Sequence, residues 1–286
     1  MPYRIMTDSC CDLPEELSRE LNVTVVPLSI TYQGRSVNNF TEEAVKDIYE
    51  ALRAGEVITT SAVNPATWGS YMEPILKQGE DLLVMAFSSG LSTTYQSAVI
   101  AAEELMEKYP ERKIKVLDTL SASLGQGMYV YHACKMRDAG MSFEELYQWC
   151  EDNRLNVVHW FTVNDLMFLK RGGRVSAATA LVGTMLQIKP VMHVDDEGHL
   201  IKVSTCRGRK GSLDALVKKM EQTGLPGVND TVFISHGDCL EDAQYVAKAA
   251  KEKLGVKNVI IHYVGPVIGS HSGPGTVAFF FMGSVR

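Results

Sequence analysis

The sequence predicts an α/β protein of two domains: a mostly parallel sheet flanked by helices, then an α/β domain with a more antiparallel sheet. Three observations predict it. Up to about Asn156, short apolar runs alternate with helical patterns, the rhythm of parallel strands joined by crossover helices. Beyond Asn156 the rhythm changes, and two β-rich runs flank Asp195–His199 (DDEGH), a hairpin turn signal. The length of 286 residues, at roughly 150 residues per domain, suits one large domain or two ordinary ones, and the change of rhythm favours two.

The elements follow in order. Tyr3–Thr7 reads as a buried strand. The helix after it has Asp12 as a candidate cap, Pro14 in its first turn and Glu15 placed for a capping box. Val23–Tyr32 is β-rich. Thr41 caps an amphipathic helix that ends at Gly55, and another begins near Pro65. Leu82–Phe87 is a buried strand, and a helix runs from Ser92 to about Lys108. Ile114–Leu117 is a strand, with helices over Ser121–Gly140 and Ser142–Asn153. The second half predicts strands at Val157–Val163, Ile188–Val194, Leu200–Cys206, Val232–His236 and Val259–Val264. It also predicts helices near Ser212–Gln222 and up to Leu254, and a final apolar strand. The domains are set at 1–156 and 157–286.

Composition narrows the function. With 45% apolar and 22% charged residues, the chain can bury an ordinary core. A net charge of −6 gives no broad attraction to nucleic acid or an anionic membrane. The opening MPYRIMTDSCCDLP has no apolar signal region, and the apolar run near Val277–Met282 falls far short of the ~20 residues of a spanning helix. A cytoplasmic location is therefore expected. The six cysteines form no C-x-x-C pair, so they read as reduced thiols with no zinc site. There is no G-x-x-x-x-G-K-[ST] and no strand-linked G-x-G-x-x-G, so no nucleotide site is expected.

Three stretches place small polar residues where a core has no use for them: Thr59–Pro65 (TTSAVNP), Phe87–Ala98 (FSSGLSTTYQSA) and Gly269–Thr276 (GSHSGPGT). In the second, a strand gives way to a turn and a helix start, where free N–H groups favour an anion and Ser92 adds a hydroxyl. Ser92 can equally be a plain cap, since serine is a favoured one. Thr60 and Ser61 can face the same site or form only a cap and turn. His271, among glycines, can meet an anion or sit in a surface turn. Lys170, Arg171 and Arg174 cluster in one loop, and Arg207, Arg209 and Lys210 in another. They suit an acidic partner or phosphate, or are solvated charge.

Taken together, these stretches resemble the DegV family, also described as fatty acid kinase B-type subunits. TDSCCDLP (Thr7–Pro14) is similar to the family's opening motif, TTSAVNP to its T-S loop, and FSSGLSTTYQSA to its L-S-G-T stretch. DLMFLKRGGRVS (Asp165–Ser176), LQIKPVMHVDDEGHL (Leu186–Leu200), Arg207–Lys210 and GPVIGSHSGPGT (Gly265–Thr276) follow in family order. The resemblance implies the DegV two-domain fold with one long-chain fatty acid in a tunnel between the domains. It implies a carboxylate held by Thr60, Ser92 and His271, with Ser61 a plausible neighbour. It also implies that the chain is a non-catalytic subunit that presents the carboxyl to a separate ATP-dependent kinase and carries the acyl phosphate. Arg174 and Arg207 are then candidates for the kinase interface. No cofactor or metal is expected, only the bound fatty acid, and a monomer is the default. Thr93 replaces the family's glycine, and Ala62 stands where the family often has glutamine.

The physics suits a lipid. Burying about fifteen methylenes at ~0.8 kcal/mol each yields about 12 kcal/mol gross, from which binding costs subtract heavily. The carboxylate must then be paired, because an isolated buried charge is very costly. Two other readings stand beside this one. A serine hydrolase would use Ser92 and His271, but Gly90–Thr94 lacks the second glycine of a nucleophile elbow. A small-anion binder would have a small polar cavity.

Overall fold

The computed structural model describes residues 2–181 and 187–286. Leu186, where one of the family-like stretches begins, lies outside the described residues. In chain order the first half comprises β1 (Tyr3–Asp8), α1 (Glu15–Glu20), β2 (Val23–Val26), β3 (Ser29–Tyr32), β4 (Arg35–Val37), α2 (Glu42–Arg53), β5 (Thr59–Ser61), α3 (Pro65–Lys77), β6 (Asp81–Ala86), α4 (Thr94–Lys108), β7 (Ile114–Asp118), α5 (Leu124–Asp138) and α6 (Phe143–Asn153). The second comprises β8 (Val157–Thr162), α7 (Leu166–Arg171), α8 (Ala177–Leu181), β9 (Ile188–Val194), β10 (Leu200–Arg207), α9 (Gly208–Thr223), β11 (Thr231–His236), α10 (Leu240–Leu254), β12 (Asn258–Tyr263), α11 (Pro266–Ser272) and β13 (Val277–Met282).

The predicted α/β class is found. A parallel sheet of order β2-β1-β6-β7 occupies the first half, and a mixed sheet of order β10-β9-β8-β13-β11-β12 the second. A separate small antiparallel sheet, β4-β3-β5, also belongs to the first half. Every residue of β6 is buried, as a central parallel strand covered on both faces requires. Leu82 and Val84 pack toward Trp68 and Met72 of α3, whereas Leu83 and Met85 pack toward Met128 and Tyr129 of α5. That second cluster also contains Phe161, Phe233, Ala278 and Phe280 of the mixed sheet. Helix α5 is thus shared, and the two sheets are joined through one core. The far face of the mixed sheet packs Phe279, Phe281 and Ile234 against α9 and α10.

Local signals held where they were local. Thr41 Oγ1 accepts from Ala44 N, and Ser142 and Glu145 form a reciprocal capping box. Several expectations are corrected. Asp12 does not cap α1: it is buried in the left-handed region and closes the 3-10 helix Ser9–Cys11, and Pro14 opens α1 with no side-chain cap. TTSAVNP is not all loop, because Thr59–Ser61 pairs with β3. The helix expected from Ser92 starts at Thr94. The closing GSHSGPGT is partly helical, and His271 lies in α11. Lys170 and Arg171 end α7, while Arg209 and Lys210 lie in the first turn of α9, so neither basic cluster is simply a loop.

Candidate functional site

A cavity of about 490 Å³ lies between the two sheets. That is within the ~300–1,000 Å³ common for small-molecule sites. Its walls change along its length. At the exposed end are Thr60, Ala62, Ser92, Thr93, Arg174 and His271, each half-buried or exposed. Leu28, Phe87, Leu91, Val194, Leu200 and Val267 form apolar sides. At depth are Phe161, Ala278, His159 and Phe280, all buried.

Each polar side chain at the open end is placed by its element. Residues on a strand alternate in direction, so Thr60 of β5 turns to the cavity while Thr59 and Ser61 are exposed. Ser61, expected beside the site, is therefore turned away and lines no part of it. Ser92 follows β6 in a turn closed by Leu91 N and Ser92 N donating to Ser88 O. The β9–β10 hairpin tip braces this turn: Ser88 Oγ donates to Gly198 O at 2.9 Å, and a Cβ on Gly90 would sit 2.8 Å from Glu197 O. Ser92 Oγ lies 2.8 Å from Thr94 Oγ1 and accepts from Thr94 N at 3.2 Å. It therefore tethers the start of α4 as well as lining the cavity. Thr93 has φ −79°, a conformation open to any residue, so the departure from glycine needs no backbone strain.

His271 reaches the cavity from α11, and its Nε2 lies 2.9 Å from Thr60 Oγ1. The imidazole fits only because residue 172 is glycine, since a Cβ there would lie 2.1 Å from His271 Nδ1. Burial first, and then the Arg174 guanidinium, push the His271 pKa down to about 4. His271 is thus neutral at neutral pH. The positive charge at this end belongs to Arg174, which donates to Leu91 O at 3.0 Å and to Gly172 O. Two of its five N–H donors are so used, which leaves others for an anion. The resemblance suggests a partner surface for Arg174; its half-buried guanidinium lines the cavity. Arg207 is exposed at the end of β10 and lines no part of the cavity.

A buried acid network supports the loops. Asp8 accepts from Phe87 N at 2.7 Å and Cys10 N at 3.0 Å, which ties β1 to the turn that carries Ser92. Burial raises its pKa to about 6. Asp12 accepts from Ser123 Oγ at 2.5 Å, and a Cβ on Gly265 would lie 2.4 Å from its Oδ1. Burial pushes Asp12 up to about 7. Sequence reasoning missed these roles, as it missed His159, Ser123 and Phe280 in the cavity wall. The paired acids in TDSCCDLP were the available signal. Among the described residues no group of three or more His, Cys, Asp or Glu is placed to hold a metal. Nor is any helix there long and apolar enough to cross a membrane.

Comparison with known proteins adds three findings. A family model described as DegV, an uncharacterised protein family, matches residues 2–284. A DegV domain-containing protein of Clostridium perfringens is 43% identical, over 99% of this chain and 98% of its own. Two solved structures share the fold at a TM-score of 0.86. One is a DegV family protein from Thermus thermophilus described by its fatty acid binding, 33% identical over 98% of this chain and 99% of its own. The other, from Thermotoga maritima, is described as revealing fatty acid binding function, 28% identical over 98% of each chain.

Proposed function

This chain belongs to the DegV family, and on that premise we propose that it is a non-catalytic carrier of one long-chain fatty acid. One observation carries the reading: a polar end with Thr60, Ser92, His271 and Arg174 opens into a cavity lined mainly by apolar and aromatic side chains, with buried Ser123, His159, Ser272 and Thr276 among them. The carboxylate lies at the polar end. There it accepts from the hydroxyls, from the imidazole or from the guanidinium, while the tail replaces water along the apolar walls. Arg174 supplies the charge that a neutral His271 does not.

The polar end is the partly exposed one, which suits presentation of the carboxyl to a separate fatty acid kinase and carriage of the acyl phosphate. Exposed Arg207 is then a docking residue, and Arg174 serves the head group first. The division at Asn156 separates the head-group loops of residues 1–156 from the strands that complete the tunnel in 157–286, although the His271 end of the site comes from the second part. A cytoplasmic monomer completes the proposal.

The hydrolase reading fares worse, because Ser92 Oγ pairs with Thr94 while His271 Nε2 pairs with Thr60. Native mass spectrometry of the protein purified from a bacterial host is the test. A bound mass that extraction identifies as a fatty acid is the expected result. Protein that stays empty after incubation with long-chain fatty acids overturns the proposal, and covalent labelling of Ser92 by a fluorophosphonate favours the hydrolase.

A further inference from the structure

The cavity has a track and an end. Thr276, just before β13, and then Ala278 and Phe280 within it face the cavity at alternate positions. Opposite them on β8, Phe161 pairs with Ala278 and His159 with Phe280. Val277, Phe279 and Phe281 face the other way, into the core under α9 and α10. From Thr276 to Phe280 the extended chain covers about 13 Å, at the usual rise per residue of a strand. The next pair on the same face, Val157 with Met282, lies in packed core and does not line the cavity.

The His159–Phe280 pair is clamped. His159 and Phe280 are each 2% exposed, with ring centroids 5.2 Å apart and planes at 86°. Helix α5 presses on them from above: a Cβ on Gly125 would lie 2.2 Å from His159 Nε2 and 2.7 Å from Phe280 Cδ1. The imidazole cannot swing aside without loss, because His159 Nδ1 donates to Val157 O at 3.0 Å and Nε2 accepts from Ala122 N at 3.2 Å. Both nitrogens are satisfied, so the ring can meet a methyl end without an unpaired polar atom.

The geometry points to the His159–Phe280 pair as the stop that sets the acyl-chain length this protein accepts. This rests on the fatty acid reading above. A tail that ends short of the stop forfeits burial, about fifteenfold in affinity for each two carbons. A tail that runs past it must displace a clamped pair in a close-packed core.

The test is a binding series of saturated fatty acids in two-carbon steps from lauric to arachidic acid. It is run on the wild type, Phe280→Ala, Phe280→Leu and Ala278→Leu, each checked for a cooperative melt. The two Phe280 variants are expected to move the optimum toward longer acids by at least one step. Ala278→Leu, which fills the track midway, is expected to move it toward shorter ones. If Phe280→Ala does not fold, Phe280→Leu and Ala278→Leu carry the test. An optimum that stays where the wild type has it in the folded variants overturns the stop. A wild type that binds no member of the series overturns the fatty acid proposal instead.

Discussion

Thr60 Oγ1 and His271 Nε2 meet at 2.9 Å across 211 positions of sequence. The bond joins a strand of the first half to a helix near the end of the chain, and both residues line the cavity. If the two act on one carboxylate, their contributions are coupled. Thr60→Ala and His271→Ala should each weaken fatty acid binding by about 1.5–3 kcal/mol, the worth of a hydrogen bond to a charged group. The double variant should lose less than the sum, because each single change already breaks the shared bond. Calorimetric titration of all four proteins checks this, and strict additivity would count against a joint site.

Gly172 has φ −72°, which alanine adopts freely, so Gly172→Ala should leave α7 intact. Its new Cβ would press on His271 Nδ1 and drive the ring from Thr60. The expected outcome is a fall in affinity close to that of His271→Ala. The melting temperature should change less than it does for a buried large-to-small substitution. Wild-type affinity in this variant would mean that the ring position is unimportant.

Arg174 and the imidazole report on each other. Burial does most to hold the His271 pKa near 4 and the guanidinium adds to it, so Arg174→Met should let it rise part of the way toward the ordinary value of 6.5. A magnetic resonance titration of His271 reads that shift directly. Fatty acid affinity in the same variant should drop by about tenfold or more, through loss of a charge-assisted donor. An unmoved titration with unmoved affinity would remove Arg174 from the site.

Asp12 gives the stability of the protein a pH signature. Its pKa is raised from 3.8 to about 7 by burial, so the folded state holds the proton more tightly than the unfolded chain does. The stability it contributes is complete below about 3.8 and is lost as pH rises through about 7. Asp12→Asn cannot titrate. The difference in melting temperature between variant and wild type should therefore shift in favour of the variant as pH climbs through that window. Parallel pH profiles would show that Asp12 does not titrate there.

Much of the fold was legible because its signals are local. Thr41 and the Ser142–Glu145 box lie beside the helices they cap, and DDEGH lies between the two strands it joins. Errors arose where distant groups compete for a residue. Asp12 looks like a cap in its own segment, but Ser123 and the close approach of Gly265 claim its carboxylate. Ser61 and Thr60 are equivalent as letters, and only pairing with β3 decides which of them faces inward. His271 among glycines looks like a turn, yet Pro266 opens a helix that includes it.

By itself the amino-acid order determined the α/β class, the change of rhythm near Asn156, the family motifs and three hydroxyl- or histidine-bearing stretches that come to one cavity. Periodicity, caps and turn residues act within a few positions, so a linear reading can recover them. Only the tertiary structure decided that Thr60 meets His271, that Arg174 lines the cavity beside them and that His159 and Phe280 pair in its buried wall. Those facts depend on strand register and on the close approach of glycines 125 and 172, which are relations between segments more than thirty residues apart.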